Sequence, residues 1–149
     1  MAKQLALVTG ASSGIGLSLA KELASRGYDL VICSAGERLE SAAQQLQSFG
    51  TGTEILKVQA DLATREGVDE LWEAIKSTGR HLDIACINAG VGLGGNFWDT
   101  DLEQELNMVE LNCTGTVHLA KHVIRNRADG EDDIFPIHWC CCVPILVSD

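Results

Sequence analysis

The sequence predicts an α/β fold: a doubly wound parallel sheet flanked by helices. Two observations carry that reading. Strand-sized apolar runs alternate with longer runs of helical period, and glycines stand at many of the joints between them. Short buried runs separated by amphipathic helices imply crossover connections, hence parallel strands covered on both faces. Leu5–Val8 is the first such run, broken by Thr9-Gly10-Ala-Ser-Ser-Gly14. Ile15–Arg26 predicts a helix, with Leu19/Leu23 and Ala20/Ala24 at four-residue spacing and Gly27 as its stop. Leu30–Cys33 predicts the second strand. Glu37–Phe49 predicts a helix with Leu39, Ala42, Ala43, Leu46 and Phe49 on one face and Gly50 at its end. Glu54–Ala60 alternates as a third strand. Val68, Leu71, Trp72 and Ile75 stripe a third helix closed by Gly79, and Ile84–Ile87 is the fourth strand. After a loop over Gly90–Asn96, one long helix is predicted from Leu102 to Arg125. Cys113, Val117, Ala120 and Ile124 share one of its sides.

The length, 149 residues, suits one domain, and 46% hydrophobic with 21% charged residues is the composition of a globular chain with a core. Twenty-one acidic against 11 basic residues give a net charge of −10, which argues against nucleic acid as a partner. No apolar run approaches the roughly 20 residues of a membrane helix, and Met1–Gln4 opens no signal-peptide core. Of the six cysteines, Cys33, Cys86 and Cys113 sit inside regular apolar patterns and read as reduced core thiols. The expectation is a cytoplasmic, single-domain chain.

Beyond Arg127 the pattern changes. Asp129–Asp133 is acidic and turn-like, and Phe135–Leu146 holds two prolines, one Trp and three adjacent cysteines. Pro136 and Pro144 remove ladder donors, so residues 128–149 are expected to form an irregular tail. Ile137–Val143, back-translated and read one base downstream, admits Ser-Ile-Gly-Ala-Ala-Val, so the tail reads as an out-of-frame translation.

The chemistry-bearing segment is Thr9-Gly10-Ala-Ser12-Ser13-Gly14-Ile15-Gly16, between the first strand and the first helix. In a doubly wound fold that turn meets a dinucleotide pyrophosphate. Glycines let backbone approach the phosphates, and the free amides of the helix start attract negative charge. The spacing is G-x-x-x-G-x-G. It resembles the TGxxxGIG cofactor loop of the short-chain dehydrogenases/reductases. Further motifs extend the resemblance over roughly Lys3 to Arg127. Asp61-Leu62, after the third strand, is similar to the family's adenine-contacting Asp. Asn88-Ala89-Gly90, ending the fourth, resembles its NAG motif, and Asn112 resembles the helix Asn that supports the proton relay through a water.

The resemblance implies a Rossmann-type sheet of about four strands, order 3-2-1-4, over residues 1–127, the cofactor-binding half of a larger dehydrogenase. It also implies an NAD(P) cofactor, a small-molecule carbonyl or alcohol substrate and hydride transfer between them. Family chemistry further needs a Ser on the substrate carbonyl and a Tyr-x-x-x-Lys pair, in which the Lys lowers the pKa of a phenol that otherwise lies near ~10. The one tyrosine here is Tyr28, followed at the fourth position by Ile32, and no Tyr-x-x-x-Lys occurs. The expected function is therefore an oxidoreductase-family chain that keeps its cofactor loop and is inactive as given. The alternatives are a non-catalytic nucleotide- or partner-binding module and a non-functional gene product.

Where NAD-preferring sites place an acid, this chain has Cys33-Ser34-Ala35-Gly36, with no acid at the strand end and no Arg for a 2′-phosphate. Ser34 lies against the ribose in this reading, and NADP is slightly preferred. Ser34 and Glu37 also match an S-x-x-E capping box for the second helix. His118 and His122 are one helical turn apart, but no third ligand is evident in the sequence, so no metal is expected there. Cys140-Cys141-Cys142 lacks zinc-site spacing. Asp99, Asp101, Glu103 and Glu105 suit the positive start of the long helix. Phe97-Trp98 reads equally as pocket lining or as a pair of hydrophobic anchors. The fourth strand would be an open edge, so association is expected through it or through the last helix.

Overall fold

The computed structural model describes residues 3–49, 52–128, 137–140 and 143–147. In chain order the elements are β1 (Leu5–Thr9), α1 (Gly14–Ser25), β2 (Asp29–Ser34), α2 (Leu39–Gln47), β3 (Ile55–Gln59), α3 (Arg65–Ser77) and β4 (Ile84–Cys86). There follow α4 (Leu102–Val109), a π-helical stretch (Glu110–Gly115), α5 (Thr116–Ala128), β5 (Ile137–Cys140) and β6 (Val143–Val147). The predicted parallel sheet is present in the order 3-2-1-4, with β1 between β2 and β4 and β3 outside β2.

Side-chain alternation along the strands divides the core into two layers. Leu5, Leu7, Val31 and Cys33 pack with Val68, Leu71, Trp72 and Ile75 of α3 and with Leu119 and Val123 of α5. Ala6, Val8, Leu30 and Ile32 pack on the opposite face with Ala20, Leu23 and Ala24 of α1 and with Leu39, Ala43 and Leu46 of α2. Strands buried on both sides show no polar alternation, which is why β1 reads as a continuous apolar run. At the edge opposite the glycine turn, buried Asp29 is held by the Arg80 guanidinium at 2.8 Å and by the Glu54 amide at 2.9 Å.

Several expectations are corrected. The tail contains two strands: β6 pairs antiparallel with β4, and β5 with β6, so β4 is not an edge. The outer hydrogen-bonding groups of β4 pair with the stretch Ile145–Val147. Pro144 stands just before that stretch, where its missing N–H costs the β4 ladder nothing. The helix end at Gly50, the turn Asp129–Asp133, Pro136, Cys141 and Cys142 lie outside the described residues.

Phe49 is not core: it is 52% exposed, with the Lys21 ammonium 5.2 Å from its ring centroid. The capping box is not formed. Helix α2 starts later, after Arg38, with no side-chain cap. Phe97 and Trp98 are about four-fifths exposed and anchor nothing among the described residues. The long helix is not uniform, and of its predicted face only Ala120 packs, partly buried, against the core. Cys113, Val117 and Ile124 are exposed, whereas Thr116, Leu119 and Val123 face the sheet. With Leu102, Leu106 and Val109 they leave an apolar stripe on the outside of α4 and α5.

Burial raises the Cys33 thiol to about 12 and the Cys86 thiol to about 11. Neither forms thiolate near neutrality, and Cys113 is exposed. Brief iodoacetamide treatment of the native chain, followed by peptide mass mapping, is therefore expected to alkylate Cys113 and spare Cys33 and Cys86. Labelling all three at equal rates would contradict the two-layer core.

Candidate functional site

The carboxyl ends of β1 to β4 gather the predicted residues at one rim of the sheet. At its centre the chain leaves β1 through Gly10, whose φ of +66° only glycine adopts without strain, and enters α1 at Gly14, φ +55°. A Cβ on Gly16 would lie 2.2 Å from the Gly10 carbonyl oxygen and 2.6 Å from Asn88 Nδ2, so α1 starts hard against the β1 turn and the β4 terminus. Above Gly14 there is the opposite condition: a Cβ there would meet nothing within 4 Å. Ser13 is extended and gives α1 no side-chain cap, and no acid stands in the first turn. Helix N-termini leave amides without intrahelical acceptors, and here no side chain of the helix supplies one. Ser13, Gly14 and Ile15 are exposed around this opening. A wall of glycine backbone, an uncapped positive helix end and open space fit the diphosphate of a dinucleotide.

The other residues hold this turn or border it. Thr9 is fully buried and touches no solvent. Its hydroxyl accepts from the Asn88 and Ala89 amides, both at 2.9 Å, and Asn88 Nδ2 donates back to the Thr9 carbonyl at 3.1 Å. Thr9 therefore clasps β1 to the end of β4. Ser34, at the end of β2, donates to Ser12 in the glycine turn at 3.0 Å and accepts from the Gly36 amide at 3.4 Å. Asp61 is exposed, and its Oδ1 accepts from the Ala63 amide at 3.0 Å, while Leu62 is buried beneath it. Asn112 spends both side-chain atoms on Val91: Oδ1 accepts from its amide at 3.0 Å and Nδ2 donates to its carbonyl at 2.8 Å. That contact fixes the loop after Gly90.

Three positions that border this rim are absent from the sequence reading. Gly115 closes the π stretch, and a Cβ there would lie 2.0 Å from the Leu62 carbonyl oxygen; Gly67 meets the Asp61 carbonyl oxygen at the same distance. These two glycines seat the Asp61-Leu62 corner. A lone glycine inside a helical pattern is the one signal the sequence holds for them. Arg38, exposed at the start of α2, is the cation that the Ser34 corner itself lacks, and it makes no ion pair among the described residues.

The short chain dehydrogenase family profile matches residues 4–132. The chain belongs to the short-chain dehydrogenase family. An uncharacterized oxidoreductase of Staphylococcus epidermidis is 36% identical over 118 residues, which are 78% of this chain and 49% of that protein. The crystal structure of L-sorbose reductase from Gluconobacter frateurii complexed with NADPH and L-sorbose is similar with a TM-score of 0.77. It is 34% identical, covering 87% of this chain and 50% of that one. A short-chain dehydrogenase from Sphingobium yanoikuyae in complex with NADPH gives a TM-score of 0.76 at 31% identity, covering 85% and 49%. The short-chain dehydrogenase described here spans about half the length of these relatives. No helix among its described residues is long and apolar enough to cross a membrane.

Proposed function

We propose that residues 1–127 hold an NAD(P) dinucleotide at the glycine turn and that the 149 residues do not carry the proton transfer of a carbonyl/alcohol oxidoreductase. The observation that carries the binding half is the uncapped start of α1, with open space over Gly14 and backbone packed tightly behind Gly16. In this reading the amides around Ser13, Gly14 and Ile15 hold the diphosphate. Thr9 and Asn88 keep the turn in shape, Asp61 meets the adenine, and Ser34 lies against the ribose. Arg38 supplies a cation for a 2′-phosphate, and no acid stands at the β2 terminus to repel one, so NADP is favoured over NAD. The NADPH bound to both solved relatives supports that preference. A bound dinucleotide would supply the hydride. Within these residues, Tyr28 has no lysine at the fourth position, and no other phenol is present to pass a proton to a substrate oxygen.

Titrating the purified chain into NADPH and following cofactor fluorescence tests the binding half. Saturable enhancement is expected, weaker with NADH. A panel of small ketones is expected to show no NADPH consumption above the protein-free rate. A flat titration would remove the first claim, and steady ketone-dependent oxidation would remove the second.

A further inference from the structure

Away from the glycine turn, α3 and α5 bring three donor atoms to one point. His118 and His122 lie one turn apart on α5, and their Nε2 atoms are 3.1 Å from each other. Asp69, fifty-three positions before His122 on α3, places Oδ1 3.2 Å from His122 Nε2 and 3.3 Å from His118 Nε2. The sequence shows the two histidines but no third ligand; the packing of α3 against α5 supplies it. We propose that Asp69, His118 and His122 form a binding site for a divalent transition ion of the zinc class, clipping α5 to α3.

The geometry argues for a cation rather than for hydrogen bonds alone. Two neutral imidazoles whose Nε2 atoms face each other and one carboxylate oxygen offer too few donors for three mutual contacts. If both Nε2 atoms carry protons, the protons oppose each other; if one does, its single N–H is shared between the other ring and the carboxylate; if neither does, three lone pairs converge without a donor. A metal ion accepts all three. Tetrahedral ligands at Zn–N distances of 2.0–2.1 Å stand about 3.3 Å apart, and the three observed separations lie at or just below that value. Two imidazoles with one carboxylate select ions of the zinc, cobalt, nickel and copper group over magnesium or calcium. The His122 ring is stacked on Trp72, with centroids 5.3 Å apart and planes inclined by 14°, and Trp72 is buried in the core, so this ligand is pre-oriented. Both histidine side chains are partly exposed and Asp69 more so, which leaves an entry path and a fourth position for water. The cluster is independent of the cofactor reading, since none of its residues borders the glycine turn.

The Trp72 stack supplies the readout. The experiment uses the full, tag-free chain, stripped with a chelator, in parent form and with Cys140→Ser, Cys141→Ser and Cys142→Ser to remove competing thiols. In both, cobalt(II) is expected to quench part of the tryptophan emission at a stoichiometry of one. Zinc(II), which does not quench, is expected to restore the emission by displacement. Saturating zinc is expected to raise the melting temperature, because it binds only the folded pair of helices. His118→Ala, His122→Ala and Asp69→Asn should each weaken binding by at least the roughly tenfold that an outer-shell partner of a metal site is worth, and should abolish the thermal shift. All three positions are on the surface, and far-UV circular dichroism checks that the variants remain folded. A folded chain with no saturable cobalt or zinc binding would overturn the site. So would unchanged affinity in any of the three variants.

Discussion

Replacing Gly16 with alanine is expected to abolish NADPH binding at concentrations that saturate the parent chain. The added Cβ would lie 2.2 Å from the Gly10 carbonyl oxygen and 2.7 Å from its carbon, and those are backbone atoms that cannot rotate away. Either α1 retreats from the β1 turn, or the turn moves toward Asn88, whose Nδ2 is already 2.6 Å from the new atom. Overpacking of this kind costs about 1–3 kcal/mol. It also re-aims the helix-start amides, so the loss in affinity should exceed about tenfold, or about 1.4 kcal/mol. Gly14→Ala is the informative contrast. It meets open space, and its penalty is the left-handed backbone at φ +55°, roughly 1–2 kcal/mol. Fluorescence titration and thermal melting of the two variants compare them directly. Parent-like NADPH affinity in Gly16→Ala would sink the assignment of this turn.

Thr9→Val should cost the fold about 2–4 kcal/mol while leaving its shape almost unchanged. Valine matches threonine in volume but accepts nothing, so the Asn88 and Ala89 amides, each 2.9 Å from the hydroxyl, lose their acceptor in a site where Thr9 is wholly buried. Each donor stranded without water costs about 1–3 kcal/mol. That is a large share of the roughly 5–15 kcal/mol by which domains are stable. Urea denaturation should show a lower midpoint with an unchanged slope, and Thr9→Ser, which keeps the oxygen, should recover most of the loss. A valine variant as stable as the parent would mean that those two amides are satisfied elsewhere.

The glycine turn was legible because Gly10, Gly14 and Gly16 lie close together in the chain, so spacing announces it. Asp61, Asn88 to Gly90 and Asn112 were legible only through the family resemblance. The role of Thr9 was not legible, because its hydroxyl acts across the sheet on residues 79 and 80 positions away. The buried face of α5 was not legible because an exposed apolar stripe runs along the same helices. Leu102, Leu106, Val109, Val117 and Ile124 have the spacing of a core face yet are exposed, and Leu119 and Val123 are the ones buried. Between α4 and α5 the stretch Glu110–Gly115 is a π turn, wider than an α turn. The same wide turn brings Gly115 against Leu62 and carries Asn112 to Val91. It belongs with π turns that recur at functional sites.

The alternation of buried runs and amphipathic helices and the glycine turn belong to the amino-acid sequence itself, because both are local patterns of period and spacing, while the strand order was available only as what the family resemblance implies. Only the folded chain decided which face of the last helix is inside, that β6 covers the outer side of β4, that Asp29 meets Arg80, and that Asp69 joins His118 and His122. Each of these depends on where two distant segments pack. Chain spacing carries no record of that, because burial of apolar surface selects the packing only after the elements have formed.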